Sequence, residues 1–167
     1  MFPVVFLSPA RGSGFTEYQL KAAFIYNFVK FVDWPSSAFT NADSPYVIGV
    51  LGDNVFGDNF KPIITGKKIN GRSLIFETCN SAADAANCQV LFISRSERFH
   101  FKEILADLRG NSILTISEAD NFIKAGGIID FKTMPDSTIR FQINQPAARE
   151  AGLQISSDLL NLALPPD

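Results

Sequence analysis

The stretch that most constrains the fold is residues 20–35, LKAAFIYNFVKFVDWP. Phe24, Phe28 and Phe31 recur at helical spacing, and Ile25, Val29 and Val32 form a second stripe beside them. A helix that is apolar on nearly every face is buried, crosses a membrane or packs against a partner. A bilayer span needs about 20 mainly apolar residues, and Lys21, Asn27, Lys30 and Asp33 interrupt the run too often for that. Burial inside a soluble domain is the expectation. Thr16 with Gln19 supplies a capping-box start. Pro35 disfavours helical geometry at Trp34 and marks the stop.

A chain of 167 residues fits one domain with a substantial core. Its net charge is −2, with 15 Lys and Arg spread along its length. That pattern argues against a binder driven by phosphate contacts, so no nucleic-acid partner is expected. The 16 Phe point to a dense aromatic core or an aromatic contact surface. One His, two Cys and two Met leave little stock for a transition-metal site, and no metal or cofactor is expected.

Residues 1–14, MFPVVFLSPARGSG, match no core element. They read as a signal-peptide remnant, a cloning-derived lead or a disordered lead, since the basic n-region and longer apolar run of a full signal are missing. A single domain is expected over residues 15–164.

Four short apolar runs follow: 46–51 (YVIGVL), 73–78 (SLIFET), 89–93 (QVLFI) and 112–116 (SILTI). Such runs are typical of strands buried on both faces. Helices are expected between them at 55–61, 81–86 and 97–108, and a further one at 118–125 with Ser117 as its N-cap; residues 67–71 read as a turn or edge segment. Segments 128–132 and 138–144 are joined too tightly for a crossover and read as an antiparallel pair. Helices at 146–151 and 155–163 close the chain. The expected fold is α/β, a three-layer Rossmann- or flavodoxin-like arrangement with a mainly parallel sheet and an antiparallel edge hairpin.

Ligands of such sheets bind beyond the carboxyl ends of the strands. Asp53, Asn54, Asn80, Ser94, Arg95, Ser117 and Glu118 fall on that edge. Five of them, Asp53, Asn54, Ser94, Arg95 and Ser117, are the candidate ligand-binding residues. The competing reading is that Asp, Asn and Ser here are ordinary turn and cap residues.

Recognised catalytic motifs are absent: there is no GxGxxG after the first strand, no P-loop and no GxSxG. His100, flanked by Phe99 and Phe101, reads as a half-buried helix histidine. Asp53 resembles a phospho-acceptor at the end of a first strand, but apolar residues stand where an acidic pair is needed upstream. No paired carboxylates occur, so no catalytic residues are assigned and an enzyme is not expected.

Cys79 and Cys88 sit at the two ends of a short connection, TCNSAADAANCQ. The spacing is not that of a CxxC redox or zinc motif. Two readings stand: a disulfide, worth roughly 2–3 kcal/mol by loop entropy, or two independent buried thiols. Export favours the disulfide.

Several segments together resemble the YfiR family: LKAAFIYNFVKFVDWP, GKKINGRSL, CQVLFIS, ILTISEADNFIKAGGIIDF and the tail IRFQINQPAAREAGLQISSDLLNLA. The resemblance runs from about residue 18 to residue 163, and it lies in the succession of segments rather than in any one of them. It implies a periplasmic α/β regulator that binds and inhibits the periplasmic sensor region of an inner-membrane diguanylate cyclase, lowering cyclic-di-GMP signalling and biofilm formation. It also implies an outer-membrane lipoprotein as a second partner, homodimers, and disulfides. Cys88 matches a position where the family commonly has Cys, and Cys79 is its partner by spacing. Members with two disulfides carry further cysteines toward the C-terminus, and this chain has none there. Similar domains precede membrane sensor kinases, so the alternative expectation is a periplasmic small-molecule sensor domain working with such a kinase.

Overall fold

The computed structural model describes residues 15–165, so the expectations for residues 1–14 lie outside the described residues. Helix α1 (Glu17–Phe31) begins with the anticipated capping box. The Gln19 backbone N–H donates to Thr16 Oγ1 at 3.1 Å, and the Thr16 N–H donates to Gln19 Oε1 at 2.7 Å. The helix ends three residues before Trp34, because Val32 turns extended. Val32–Asp33 is instead a short strand, β1 (Val32–Asp33), antiparallel to β9 (Gln154–Ile155). The WP segment therefore follows a strand, and Trp34 docks its ring on Tyr46 at 5.5 Å while its Nε1–H donates to the Gln89 carbonyl.

The main sheet contains β2 (Tyr46–Leu51), β3 (Lys68–Ile69), β4 (Arg72–Cys79) and β5 (Val90–Ile93). It continues with β6 (Leu114–Ser117), β7 (Ile129–Thr133) and β8 (Ile139–Ile143), in the spatial order β3-β4-β2-β5-β6-β7-β8. The five central strands are parallel. Taken in chain order they run 2-1-3-4-5, the flavodoxin-like order. Antiparallel β3 and β8 lie at the two edges. The hairpin expected at the C-terminal edge is present. The one at β3 is two residues long, and its sequence shows only a turn or edge segment.

Helices cover both faces. On one side α1, α2 (Lys61–Ile64), α5 (Gln145–Glu150) and α6 (Ser157–Leu162) bury a large aromatic core. Phe24 and Phe28 of α1 meet Phe131 and Phe141 with ring centroids 5.0–6.0 Å apart. The opposite face carries α3 (Ala82–Ala85), α4 (Phe101–Asp107) and Phe122 over a smaller core.

Three expected helices differ in form. The 55–61 segment is a series of turns leading into α2, and 97–108 opens as a 3-10 turn (Arg95–His100) before α4. The helix expected at 118–125 does not form, and turns occupy 120–126. Asn121 and Gly126 have positive φ there, and the Phe122 ring lies over Gly127, where a Cβ would come within 2.2 Å of it. Packing of Phe122 into the smaller core overrides helix propensity. His100 is exposed rather than half-buried, with Nδ1 3.9 Å from Glu103.

Candidate functional site

The first turns of α1 aim polar side chains at the carboxyl ends of the parallel strands. Lys21 follows the same stripe as Phe24 and Phe28 and is only 2% exposed. Its Nζ lies 2.6 Å from Glu118 Oε1 and 2.8 Å from Glu17 Oε2. Tyr18 donates its hydroxyl to Glu118 Oε2 at 2.7 Å. Burial, together with this bond to Glu118, pushes the Tyr18 phenol well above its ordinary range. Both carboxylate oxygens of Glu118 are thus engaged, as a buried charge requires. In the sequence Lys21 reads as a polar interruption of the helix. Its place three and seven residues before Phe24 and Phe28 is the signal that it shares their face.

Of the anticipated cluster, Arg95 is exposed and donates Nη2–H to the Glu118 carbonyl at 2.6 Å. Ser117 is fully buried and donates its hydroxyl to the Ile93 carbonyl at 2.6 Å, rather than capping a helix. Ser94, also fully buried, donates to the Asp53 carbonyl, and Ser96 Oγ accepts from the Asp53 N–H at 3.0 Å. Asn54 Oδ1 caps the Phe56 and Gly57 N–H groups, each at 3.1 Å. Asn80 is apart from this group, donating its N–H to Asp84 at the start of α3.

The topological switch point lies between β2 and β5. Gly52, with φ +90°, lets the loop after β2 press on the loop after β5: a Cβ there would lie 2.6 Å from Ser96 Oγ. Asp53, Ser94 and Ser96 then stitch the two loops together. None of the cavities described is lined by Asp53, Asn54, Ser94, Arg95 or Ser117.

A second ion pair joins a buried carboxylate to a partly exposed lysine. Asp130 faces Ser117 across β6 and β7 and is 1% exposed. Its Oδ2 is 3.0 Å from Lys132 Nζ, while Oδ1 is buried without a hydrogen-bond partner among the described residues. Burial raises this carboxyl to about 6, against the opposing pull of Lys132. It lines a cavity of about 210 Å³ with Asp120, Lys124 and Gln142.

Cys79 and Cys88 meet on the opposite sheet face. They stand as thiols with sulfurs 4.0 Å apart. Both sit over Gly49 of β2, where a Cβ would lie 2.7 Å from the Cys88 sulfur. The glycine makes the room that the pair occupies. Glu77 Oε1 is 4.0 Å from the Cys88 sulfur, and burial pushes both thiols up. A raised thiol is a poor nucleophile at neutral pH.

Fold and edge together define a doubly wound, flavodoxin-like α/β domain whose strand-end polar groups chiefly bond one another. The chain belongs to the YfiR/HmsC-like family, whose profile matches residues 18–164. That family is regulatory, not catalytic, and the chain takes a regulatory role from it. No curated protein matches the chain by sequence. In structure it is similar to a conserved domain protein from Vibrio cholerae O1 biovar El Tor, at 14% identity and TM-score 0.59 over 89% of this chain. It is also similar to an ABC domain from Streptococcus pneumonia in complex with L-Trp, at 14% identity and TM-score 0.51 over 87% of this chain. The chain spans 59% of the length of each of these structures, and the likeness concerns the fold alone. Among the described residues no helix is long and apolar enough to cross a membrane.

Proposed function

We propose that this chain is a periplasmic regulator that binds the periplasmic sensor region of an inner-membrane diguanylate cyclase and holds the cyclase inactive. Cyclic-di-GMP signalling and biofilm formation fall as a result. The observation that carries this reading is the family match across residues 18–164, nearly the whole described domain. Geometry supports it indirectly. The switch-point loops are stitched together by Ser94, Asp53 and Ser96, which favours a working surface elsewhere over a ligand held in that crevice. The same reading brings a homodimer, an outer-membrane lipoprotein as second partner, and a Cys79–Cys88 disulfide in the exported protein.

The test mixes the purified chain with the periplasmic region of a diguanylate cyclase from the same genome and measures complex formation by calorimetry. A saturable complex, together with a rise in cellular cyclic-di-GMP when the gene is deleted, is the expected outcome. No heat of binding and unchanged cyclic-di-GMP would defeat the reading. Mass spectrometry of exported protein, alkylated with and without reductant, checks the disulfide; free alkylation of both thiols without reductant removes it.

A further inference from the structure

The two edges of the main sheet are finished differently. At the β8 edge the chain's own C-terminal segment closes the strand: the Leu164 N–H donates to the Phe141 carbonyl at 2.8 Å, and Gln142 bridges to Leu164. At the other edge β3 covers only Arg72 and Ser73 of β4. From Leu74 to Cys79 the inner side of β4 pairs with β2, and the outer side has no strand partner among the described residues. An open strand edge is a template for another extended chain.

Beside this edge runs a groove of about 460 Å³ between α2 and β4. Ile64, Leu74 and Phe76 give it an apolar floor, with Phe76 stacked on Phe60 at 4.9 Å. Its rim carries Lys61, Lys67 and Lys68, all exposed and none in an ion pair among the described residues, against one acidic residue, Asp58. Ile75, 43% exposed, is one of the few large apolar side chains in the open.

We infer that the outer edge of β4 is a docking surface for an acidic, extended segment of a partner protein, added as a further strand. Backbone hydrogen bonds along 74–79 give the pairing, alternate side chains of the guest enter the groove, and acidic ones meet the three lysines. Charge selects this occupant. A second copy brings its own lysines to the seam and is repelled. The chain's residues 1–14 contain Arg11 and no acidic residue, so they lack the complementary charge.

The inference deepens the proposed partner-binding reading and rests on it only for the identity of the guest. Fluorescence anisotropy of a labelled eight-residue peptide of alternating Glu and Val tests the edge directly, with a Lys/Val peptide as counterpart. The Glu/Val peptide is expected to bind saturably and more tightly than its counterpart, and more weakly as salt rises. Reversing Lys61, Lys67 and Lys68 to Glu should weaken it about tenfold, the combined size of three exposed ion pairs at the rim. The milder triple change to Gln, with an unchanged melting curve, guards against misfolding of the reversed variant. Equal binding of both peptides, or an affinity that neither variant alters, overturns the inference. So does amide protection of 74–79 on self-association alone, which would assign the edge to a second copy. If the wild-type chain binds the acidic peptide but no cyclase region, the functional reading fails and the docking surface stands.

Discussion

Two lysine–carboxylate pairs sit on either side of Ser117, and they are built to different standards. In the Lys21–Glu118 pair both carboxylate oxygens are occupied, by Lys21 and by Tyr18, and Lys21 adds Glu17. In the Lys132–Asp130 pair one oxygen is used and the other is buried alone. Lys132 is also partly exposed, so it compensates the charge less fully than Lys21 does. The number of partners, and not burial alone, separates the two sites. A fully engaged carboxylate acts as a fixed joint between α1 and the strand ends. The half-engaged Asp130 carboxyl is pushed up by burial to about 6.

The largest effect should come from removing the lysine of the complete pair. Lys21→Met leaves the buried Glu118 carboxylate with the Tyr18 hydroxyl but without its lysine, and a loss of about 3–5 kcal/mol is expected in urea denaturation. A loss under about 1 kcal/mol would erase the contrast between the pairs.

Next comes the pH dependence of the incomplete pair. The folded Asp130 carboxyl is raised above its unfolded value, so the folded state holds its proton longer. Stability therefore falls as pH rises from about 4 to about 6, by on the order of 2–3 kcal/mol, and stays reduced above. Urea midpoints across this range for wild type and Asp130→Asn should differ in slope, with the variant flatter. Parallel curves would mean that Asp130 titrates normally.

Tyr18→Phe removes one of the two donors to Glu118 without opening a cavity. It should cost roughly 1–2 kcal/mol, the penalty of an unsatisfied buried acceptor. The smallest effect is expected for Lys132→Met at pH 5, where Asp130 is largely protonated and the ion pair contributes little; less than about 0.5 kcal/mol should be lost. At pH 8 the same substitution should cost more, and equal costs at both pH values would contradict the titration.

The strands are legible in the sequence because short apolar runs bounded by turn residues leave few alternatives for a doubly buried sheet, as in YVIGVL and QVLFI. The capping box of α1 is legible for the same local reason. The absence of a helix over 118–125 is not to be had from local signals. The Ser117 hydroxyl is drawn to the Ile93 carbonyl one strand away, and Phe122 is pulled into the smaller core. Among the candidate site residues, topology read from the sequence correctly places Asp53, Ser94, Arg95 and Ser117 on one edge. It does not reveal that two of the four point inward to backbone carbonyls. Tyr18 and Lys21 escape a sequence reading because their shared partner, Glu118, lies about a hundred residues away. Asp130 escapes it because its partner Lys132 stands on the same strand, and only the packing shows that the carboxylate is buried.

The sequence by itself determined the strand order's raw material: which segments are strands, that the sheet is mainly parallel, that α1 must be buried, and the family resemblance. Periodicity and turn chemistry are local, and they survive in the fold. Tertiary structure alone decided that the stretch 20–35 ends in a strand paired with β9, and that Lys21 is its deepest charge. It also left the edge of β4 open while closing that of β8. Those outcomes depend on which distant groups arrive to satisfy a backbone edge or a buried charge, and no local pattern encodes that arrival.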